Sequence, residues 1–198
     1  MARYSPKGLV LSVSNHPEVY PPGDDTFLLI DALEVGQNTV LEVGTGSGIV
    51  AIYCASRGAR VTCTDINPYA VALARQNAAS NGVDIAVVEA DMFEGIRGRF
   101  EIVIFNPPYL PTSSDDITGD RWLDASINGG PDGLEPARRF LDGLACHLEP
   151  PGRAYLITSS LSCSELLPPE GLRVRQLASR KLEFELLTVN EVSLEARS

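Results

Sequence analysis

The chain has 198 residues, 44% of them hydrophobic, which suits one domain over 1–198 burying about 70% of its unfolded surface. No apolar run approaches the roughly 20 residues that span a bilayer, and Met1 to Val10 lacks a signal-type apolar core, so the chain reads as cytoplasmic with no membrane partner. Net charge is −10 and the only lysines are Lys7 and Lys181, a balance that repels a phosphate backbone and counts against nucleic acid as the main partner.

Four cysteines (Cys54, Cys63, Cys146, Cys163) show no Cys-x-x-Cys spacing, and only His16 and His147 stand beside them in the chain. They make a poor zinc site and read as reduced and mostly packed, so no metal is expected.

In chain order, residues up to about Tyr20 form an arm with strand character at Leu9–Leu11. Tyr20-Pro21-Pro22-Gly23-Asp24-Asp25-Thr26 leads into a helix from Thr26 to about Val35, with Asp24 or Asp25 as cap and Gly36 as stop. A cap explains one aspartate and leaves Thr26 free to face a ligand. Residues 1–36 thus form an arm and helix packed on the core.

Thr39–Val43 is the first core strand. Gly44-Thr45-Gly46-Ser47-Gly48 follows it, then a helix from Ile49 to Arg57. The second strand, Arg60–Thr64, ends at Asp65. Asn67 caps the next helix with Pro68 in its first turn. Val83–Glu89 is a third strand ending near Asp91, and Phe100–Phe105 a fourth. Leu134, Ala137, Leu141, Leu144 and Leu148 repeat at helical spacing. Arg153–Thr158 is the fifth strand, and Leu172–Leu177 with Glu183–Val189 a closing pair. Strands alternating with helices predict right-handed βαβ units and a parallel sheet covered on both faces. Leu110–Pro131 is the one long irregular stretch and reads as a functional loop or lid.

Three features carry chemistry. The glycine-rich turn marks a nucleotide-type crevice at the strand ends. Ile49 stands where a dinucleotide fingerprint wants Gly or Ala, and Gly46 occupies the serine position of a nucleophile elbow, so neither of those motifs applies. Acids then sit at successive strand ends. Glu42 precedes the glycines, Asp65 is placed to accept ribose hydroxyls, and Asp91 could meet an adenine amino group. No lysine or arginine stands in the glycine loop to neutralise phosphates. Carboxylates without phosphate partners suit a cationic nucleoside such as S-adenosylmethionine.

The third feature is Phe105-Asn106-Pro107-Pro108-Tyr109. Two prolines stiffen the chain and hold Asn106 extended, giving a polar corner at a strand end. Asn106 offers a side-chain carbonyl and Pro107 a backbone carbonyl. Together they could hold both N–H bonds of a planar amide or exocyclic amine, with the Tyr109 ring over one face.

On these residues the chain resembles the class I S-adenosylmethionine-dependent methyltransferases, and within them the HemK-type glutamine methyltransferases, closest to the short archaeal and eukaryotic branch acting on release factors. The matching stretches are Val19-Tyr20 with Asp25-Thr26-Phe27-Leu28-Leu29, Leu41 to Gly48, Asp65-Ile66-Asn67-Pro68, Asn106-Pro107-Pro108-Tyr109, and Gly129-Gly130 with Gly133. Pro21 departs from the pattern, standing where the branch usually has an acid. The resemblance implies a Rossmann-like α/β fold with helices on both faces of a seven-stranded, mostly parallel sheet. Its core strands run in the order 3-2-1-4-5-7-6, the seventh antiparallel. It also implies cofactor contacts at Thr26, Glu42, Gly44, Thr45, Gly46, Asp65, Ile66, Asp91, Met92 and Asn106. Asn106, Pro107 and Tyr109 are the implied catalytic and substrate-binding set.

The implied reaction is N-methylation of the glutamine in the Gly-Gly-Gln motif of a class 1 release factor. The implied partner is a small zinc-binding activator subunit pairing along the third strand, 83–89. With 43 residues ahead of Gly44, a separate helical substrate domain is not expected. Residues 83–88 carry no lysine or proline to blunt an exposed edge, which agrees with a paired edge. An adenine-N6 methyltransferase acting on DNA or RNA would use the same corner on a flipped base but wants a basic groove. A non-catalytic cofactor-binding scaffold would have no need of an intact Asn106–Tyr109.

Overall fold

A computed structural model of the chain describes residues 1–113 and 118–195. Residues 114–117 of the expected 110–131 loop lie outside the described residues, as do 196–198.

The arm makes a two-stranded antiparallel ladder, β1 (Ala2–Tyr4) with β2 (Leu11–Val13). Helix α1 (Asp24–Ala32) follows. Then come β3 (Thr39–Val43), α2 (Ile49–Ser56), β4 (Arg60–Asp65), α3 (Pro68–Ser80), β5 (Ala86–Glu89) and β6 (Phe100–Phe105). The chain continues through α4 (Arg121–Ile127), α5 (Glu135–His147), β7 (Leu148–Ser159), β8 (Leu172–Lys181) and β9 (Leu186–Leu194). Seven strands form one sheet in the order β5-β4-β3-β6-β7-β9-β8, with β9 antiparallel to both neighbours. In core-strand numbers that is the expected order.

Alternation along the central strands sends side chains into two cores. On β6, Ile102 and Ile104 join Leu29, Ile52 and Val71 under α1, α2 and α3. Val103 and Phe105 face Phe140, Leu141 and Leu144 of α5. Burial on both faces is why these strands read as continuous apolar runs. Gly48, at φ +81°, lets α2 approach α3 closely, since a Cβ there would lie 2.9 Å from the Ala74 Cβ.

Two asparagines spaced i, i+4, Asn77 on α3 and Asn81 capping its end, pin the arm. Asn81 exchanges hydrogen bonds with the Ser12 backbone at 2.9 and 2.7 Å, and Asn77 does so with Ser14 at 2.8 and 3.1 Å. Lys7 donates to the Leu33 carbonyl at 2.8 Å, satisfying a carbonyl just past α1.

Several boundaries depart from the sequence expectation. Helix α1 begins at Asp24, capped by extended Gly23, so neither aspartate is the cap. Both lie in the first turn, where the helix dipole favours carboxylates. The helix ends at Ala32 because Leu33 turns extended into the core. Strand β5 is shorter than 83–89, since pairing with β4 starts at Thr62↔Ala86. The closing strands are longer. The stretch 110–131 is not wholly irregular: Asp120 accepts from Trp122 and Leu123 N–H, both at 3.1 Å, and caps α4. Cys54 and Cys63 are buried, whereas Cys146 and Cys163 are exposed rather than packed. Among the described residues no helix is long and apolar enough to cross a membrane.

Candidate active site

Strand register brings the chemistry together. Val43 pairs with Thr64 on one side and Phe105 on the other, and Asp65 pairs with Glu89. Gly44, Asp65, Asn106 and the Ala90–Met92 segment therefore leave the sheet along one line, at its carboxyl edge. They border a cleft of about 450 Å³.

The glycine turn is held from below and from the side. Gly44 and Gly46 sit at φ +64° and +54°, conformations that glycine adopts without strain. The buried Glu42 reaches under the turn, and its Oε2 accepts from Thr45 Oγ1 at 2.6 Å and Ala51 N–H at 3.0 Å. Asp65 accepts from Gly46 N–H at 2.8 Å and Asn67 N–H at 2.9 Å, one on each oxygen. Burial raises the Asp65 pKa, offset in part by these N–H groups. Ile66 stays half exposed over the cleft. Thr45 lines the cleft while its hydroxyl donates to Glu42.

Glu42 gives a pH prediction. Burial raises its pKa from the ordinary 4.5 to about 8, against the lowering effect of the Thr45 and Ala51 bonds. A raised folded-state value means a contribution to stability that is full below the unfolded pKa and is lost as pH rises through about 8. Glu42→Gln keeps both hydrogen bonds, because both fall on one oxygen, and removes the ionisation. Thermal melts from about pH 6 to about pH 9 should show the wild type losing Tm relative to Glu42→Gln. Parallel curves contradict a buried, titrating Glu42.

On the far wall, Asp91 is half exposed and accepts from Arg139 of α5 at 2.7 Å. Met92 holds φ +52°, rare for a residue with a side chain, and its carbonyl accepts from Thr64 Oγ1 at 3.1 Å. Arg139 was not expected from sequence. It lies 48 positions from Asp91, and only the docking of α5 joins them.

The polar corner is where α1 meets β6. Asn106 Nδ2 donates to Asp25 Oδ2 at 3.0 Å. Asp25 is buried, and its other oxygen accepts from Thr26 N–H at 2.6 Å and Thr26 Oγ1 at 3.2 Å. A carboxylate only accepts, so the amide cannot be turned around: Nδ2 must face Asp25. Asn106 Oδ1 is consequently held away from Asp25. It is buried and, among the described residues, has no hydrogen-bond partner. A buried acceptor beside a cleft is satisfied by a donor from a ligand or an ordered water.

Asp25 is the residue that the sequence left among possible caps. Thr26 lines the cleft, and its hydroxyl accepts from Gly23 N–H at 3.2 Å and donates to Asp25 at 3.2 Å. Pro107 is buried beside Asn106, and Tyr109 lines the same cleft. The Tyr109 hydroxyl titrates above its ordinary range, through burial first and then the Asp25 and Glu185 carboxylates.

The chain leaving this corner is clamped. Gly129 N–H donates to Leu110 O and Thr112 N–H to Gly130 O, both at 2.9 Å. A Cβ on Gly129 would meet the Tyr109 carbonyl carbon at 2.8 Å, and one on Gly133 the Tyr109 oxygen at 2.5 Å. That close contact explains the glycines. Trp122 of α4 lines the cleft rather than the core, with the Arg121 guanidinium 4.3 Å from its ring centroid.

Comparison with known proteins agrees with this geometry. The Methyltransferase small domain family matches residues 11–125. A putative protein N5-glutamine methyltransferase of Methanocaldococcus jannaschii is 43% identical over 180 residues, spanning 88% of this chain and 91% of its own. Methyltransferase HEMK2 of Homo sapiens is 36% identical over 87% of this chain and 88% of its own. Among solved structures, the E. cuniculi Mtq2–Trm112 complex, responsible for methylation of the eRF1 translation termination factor, superimposes with a TM-score of 0.67. Its identity is 27%, covering 90% of this chain and 99% of that one.

The sheet order and glycine turn are those of the Rossmann-like methyltransferase class. This chain belongs to the Methyltransferase small domain family and, within it, to the HemK-type class I enzymes, whose cofactor is S-adenosylmethionine.

Proposed function

We propose that this enzyme methylates the side-chain nitrogen of a glutamine, that of the Gly-Gly-Gln motif in a class 1 release factor. The observation that carries the reading is the buried, unpartnered Asn106 Oδ1, turned away from Asp25 by the Nδ2 bond. A glutamine amide supplies the missing donor: one N–H to Asn106 Oδ1 and the other to the Pro107 carbonyl. Its plane is then fixed under the Tyr109 ring.

An amide nitrogen is a poor nucleophile because its lone pair is delocalised. Two fixed acceptors draw both N–H bonds into known directions and push electron density toward nitrogen. Orientation and electrostatics supply most of the acceleration. S-adenosylmethionine would supply an electrophilic methyl group on a sulfonium, leaving as S-adenosylhomocysteine, and the methylated nitrogen would give up one N–H proton to solvent.

The cleft fits that cofactor. It offers carboxylates from Asp65 and Asp91, backbone from Gly44 and Gly46, and apolar cover from Ile66 and Met92, with no cation in the glycine turn. Asp65 is assigned to the ribose hydroxyls and Asp91 to the adenine edge, with Thr26 and Glu42 shaping the pocket around them. One relative is named as a putative protein N5-glutamine methyltransferase and the E. cuniculi complex as responsible for eRF1 methylation, which supports the same substrate here.

A label-transfer assay with purified enzyme separates the readings. Methyl label on the release-factor glutamine is expected. Label on nucleic acid in its place contradicts it, and transfer to neither substrate, with or without a co-expressed activator, points to a scaffold.

We also propose that a small zinc-binding activator pairs along β5. That strand is one edge of the sheet, and Val88 on it is exposed. An unpaired edge favours augmentation by a partner strand. Arg75 Nη2 donates to the Val87 carbonyl at 2.8 Å, so an incoming strand has to share or displace that contact. Expressed alone, the chain should aggregate or bind cofactor weakly, read by gel filtration and calorimetry. A stable, fully active monomer contradicts the assignment.

A further inference from the structure

An acceptor amide buried against Asn106 leaves the rest of its macromolecule resting on the rim of the cleft. Beside α1, where Arg180 of β8 pairs with Asp24, the surface is apolar. The turn between β8 and β9 projects Phe184, 82% exposed, and Leu186 and Leu161 follow at 40% and 39%. A turn is filled most easily by small polar residues, so an aromatic side chain held in water there needs a reason.

The three residues belong to one hydrogen-bonded unit. Ser160 N–H donates to Leu186 O at 3.0 Å, and Leu186 N–H to Ser160 Oγ at 2.9 Å. Leu182 N–H donates to Glu185 O at 2.8 Å, closing the turn. Ser159 Oγ donates to Glu185 Oε2 at 2.6 Å and accepts from Leu161 N–H at 3.1 Å.

The unit is braced against the catalytic corner. Arg180, on the strand entering the turn, pairs with Asp24 at 3.3 Å and Asp31 at 3.1 Å on α1, the helix that presents Asp25 to Asn106. Ser162, next to Leu161, lies beside the Tyr109 backbone, since a Cβ on Gly133 would meet the Tyr109 oxygen at 2.5 Å and Ser162 Oγ at 3.1 Å, and Tyr109 lines the cleft.

We propose that Phe184, with Leu161 and Leu186, is a docking platform for the protein that carries the methyl-accepting glutamine. The assignment rests on the glutamine reading above. What covers this patch follows from its link to the site, since Arg180 ties it to α1, the helix whose Asp25 holds Asn106. Glu183 and Glu185 flank Phe184, so the matching surface is an apolar socket bordered by lysine or arginine.

The test compares wild type, Phe184→Ser and Glu183→Lys, each co-expressed with the activator subunit and assayed on full-length release factor. For Phe184→Ser, KM for the release factor should rise about tenfold to a hundredfold, the equivalent of one aromatic side chain left in water. Its kcat, Tm and S-adenosylmethionine affinity should stay as in wild type. Glu183→Lys should raise KM in the same direction by charge reversal, and it carries the test if Phe184→Ser does not fold.

Unchanged KM in both variants overturns the platform, as does loss of kcat or of cofactor affinity instead of KM. A wild-type homodimer that Phe184→Ser dissolves would assign the patch to a second copy. If wild type labels no glutamine, the functional reading falls and takes the platform with it. An active wild type with an indifferent Phe184→Ser sinks the platform alone.

Discussion

Asp25→Asn is expected to lower kcat by about a hundredfold while S-adenosylmethionine affinity stays within about twofold. Asp25 touches Asn106 through one oxygen and Thr26 through the other. Asparagine at 25 must keep its only oxygen on the Thr26 N–H, because that short, buried bond is costly to lose. Its amino group then points at Asn106, where Nδ2 would face another donor. Asn106 relieves the clash by turning over, which sends Oδ1 to residue 25 and an N–H pair into the cleft.

The acceptor that orients the substrate amide becomes a donor that repels it. Holding the productive orientation leaves a buried donor unpaired, about 1–3 kcal/mol, which sets the size of the effect. Label-transfer kinetics beside calorimetric cofactor titration measures both quantities. Wild-type kcat in Asp25→Asn means the orientation of Asn106 is set by something else.

Asn106→Ala and Asp65→Ala should separate chemistry from cofactor binding. Asn106→Ala deletes the acceptor and should cost about a thousandfold or more in kcat, with cofactor affinity nearly intact. Asp65→Ala removes the carboxylate that holds Gly46 and Asn67 N–H and is assigned to the ribose. Its loss should weaken cofactor affinity by about tenfold to a hundredfold, the range of one or two buried hydrogen bonds. Circular dichroism on both variants controls for folding. Equal loss of cofactor affinity in the two variants contradicts this division of roles.

What could be read from the chain, and what could not, follows from the range of the interactions involved. Strand β3, Thr39–Val43, and strand β6, Phe100–Phe105, lie where the apolar runs placed them, because burial on both faces leaves a continuous signature. Asn67 caps α3 as expected, since capping is a contact over two residues. The strand-end acids and the Asn106 corner share one cleft because register, once the strand order is known, leaves no other place for them.

Misreadings occurred where local chemistry permits two outcomes. Asp25 looks like a helix cap, and only its position 81 residues from Asn106 in sequence, yet in contact, reveals its other role. Helix α4 is short, and its Asp120 cap followed by Trp122, Leu123 and Ile127 was the signal available for it. Asn77 and Asn81 look like ordinary polar helix positions, and their purpose appears only when the arm folds back onto α3.

The most direct measurement is a crystal structure of the enzyme with S-adenosylhomocysteine and a glutamine peptide. The expected result puts the glutamine NH₂ about 3 Å from both Asn106 Oδ1 and the Pro107 carbonyl, with the sulfur beyond the nitrogen on the side of the glycine turn. A sulfur bound far from Asn106, or an Asn106 oxygen turned to Asp25 with the peptide amide held elsewhere, would contradict it.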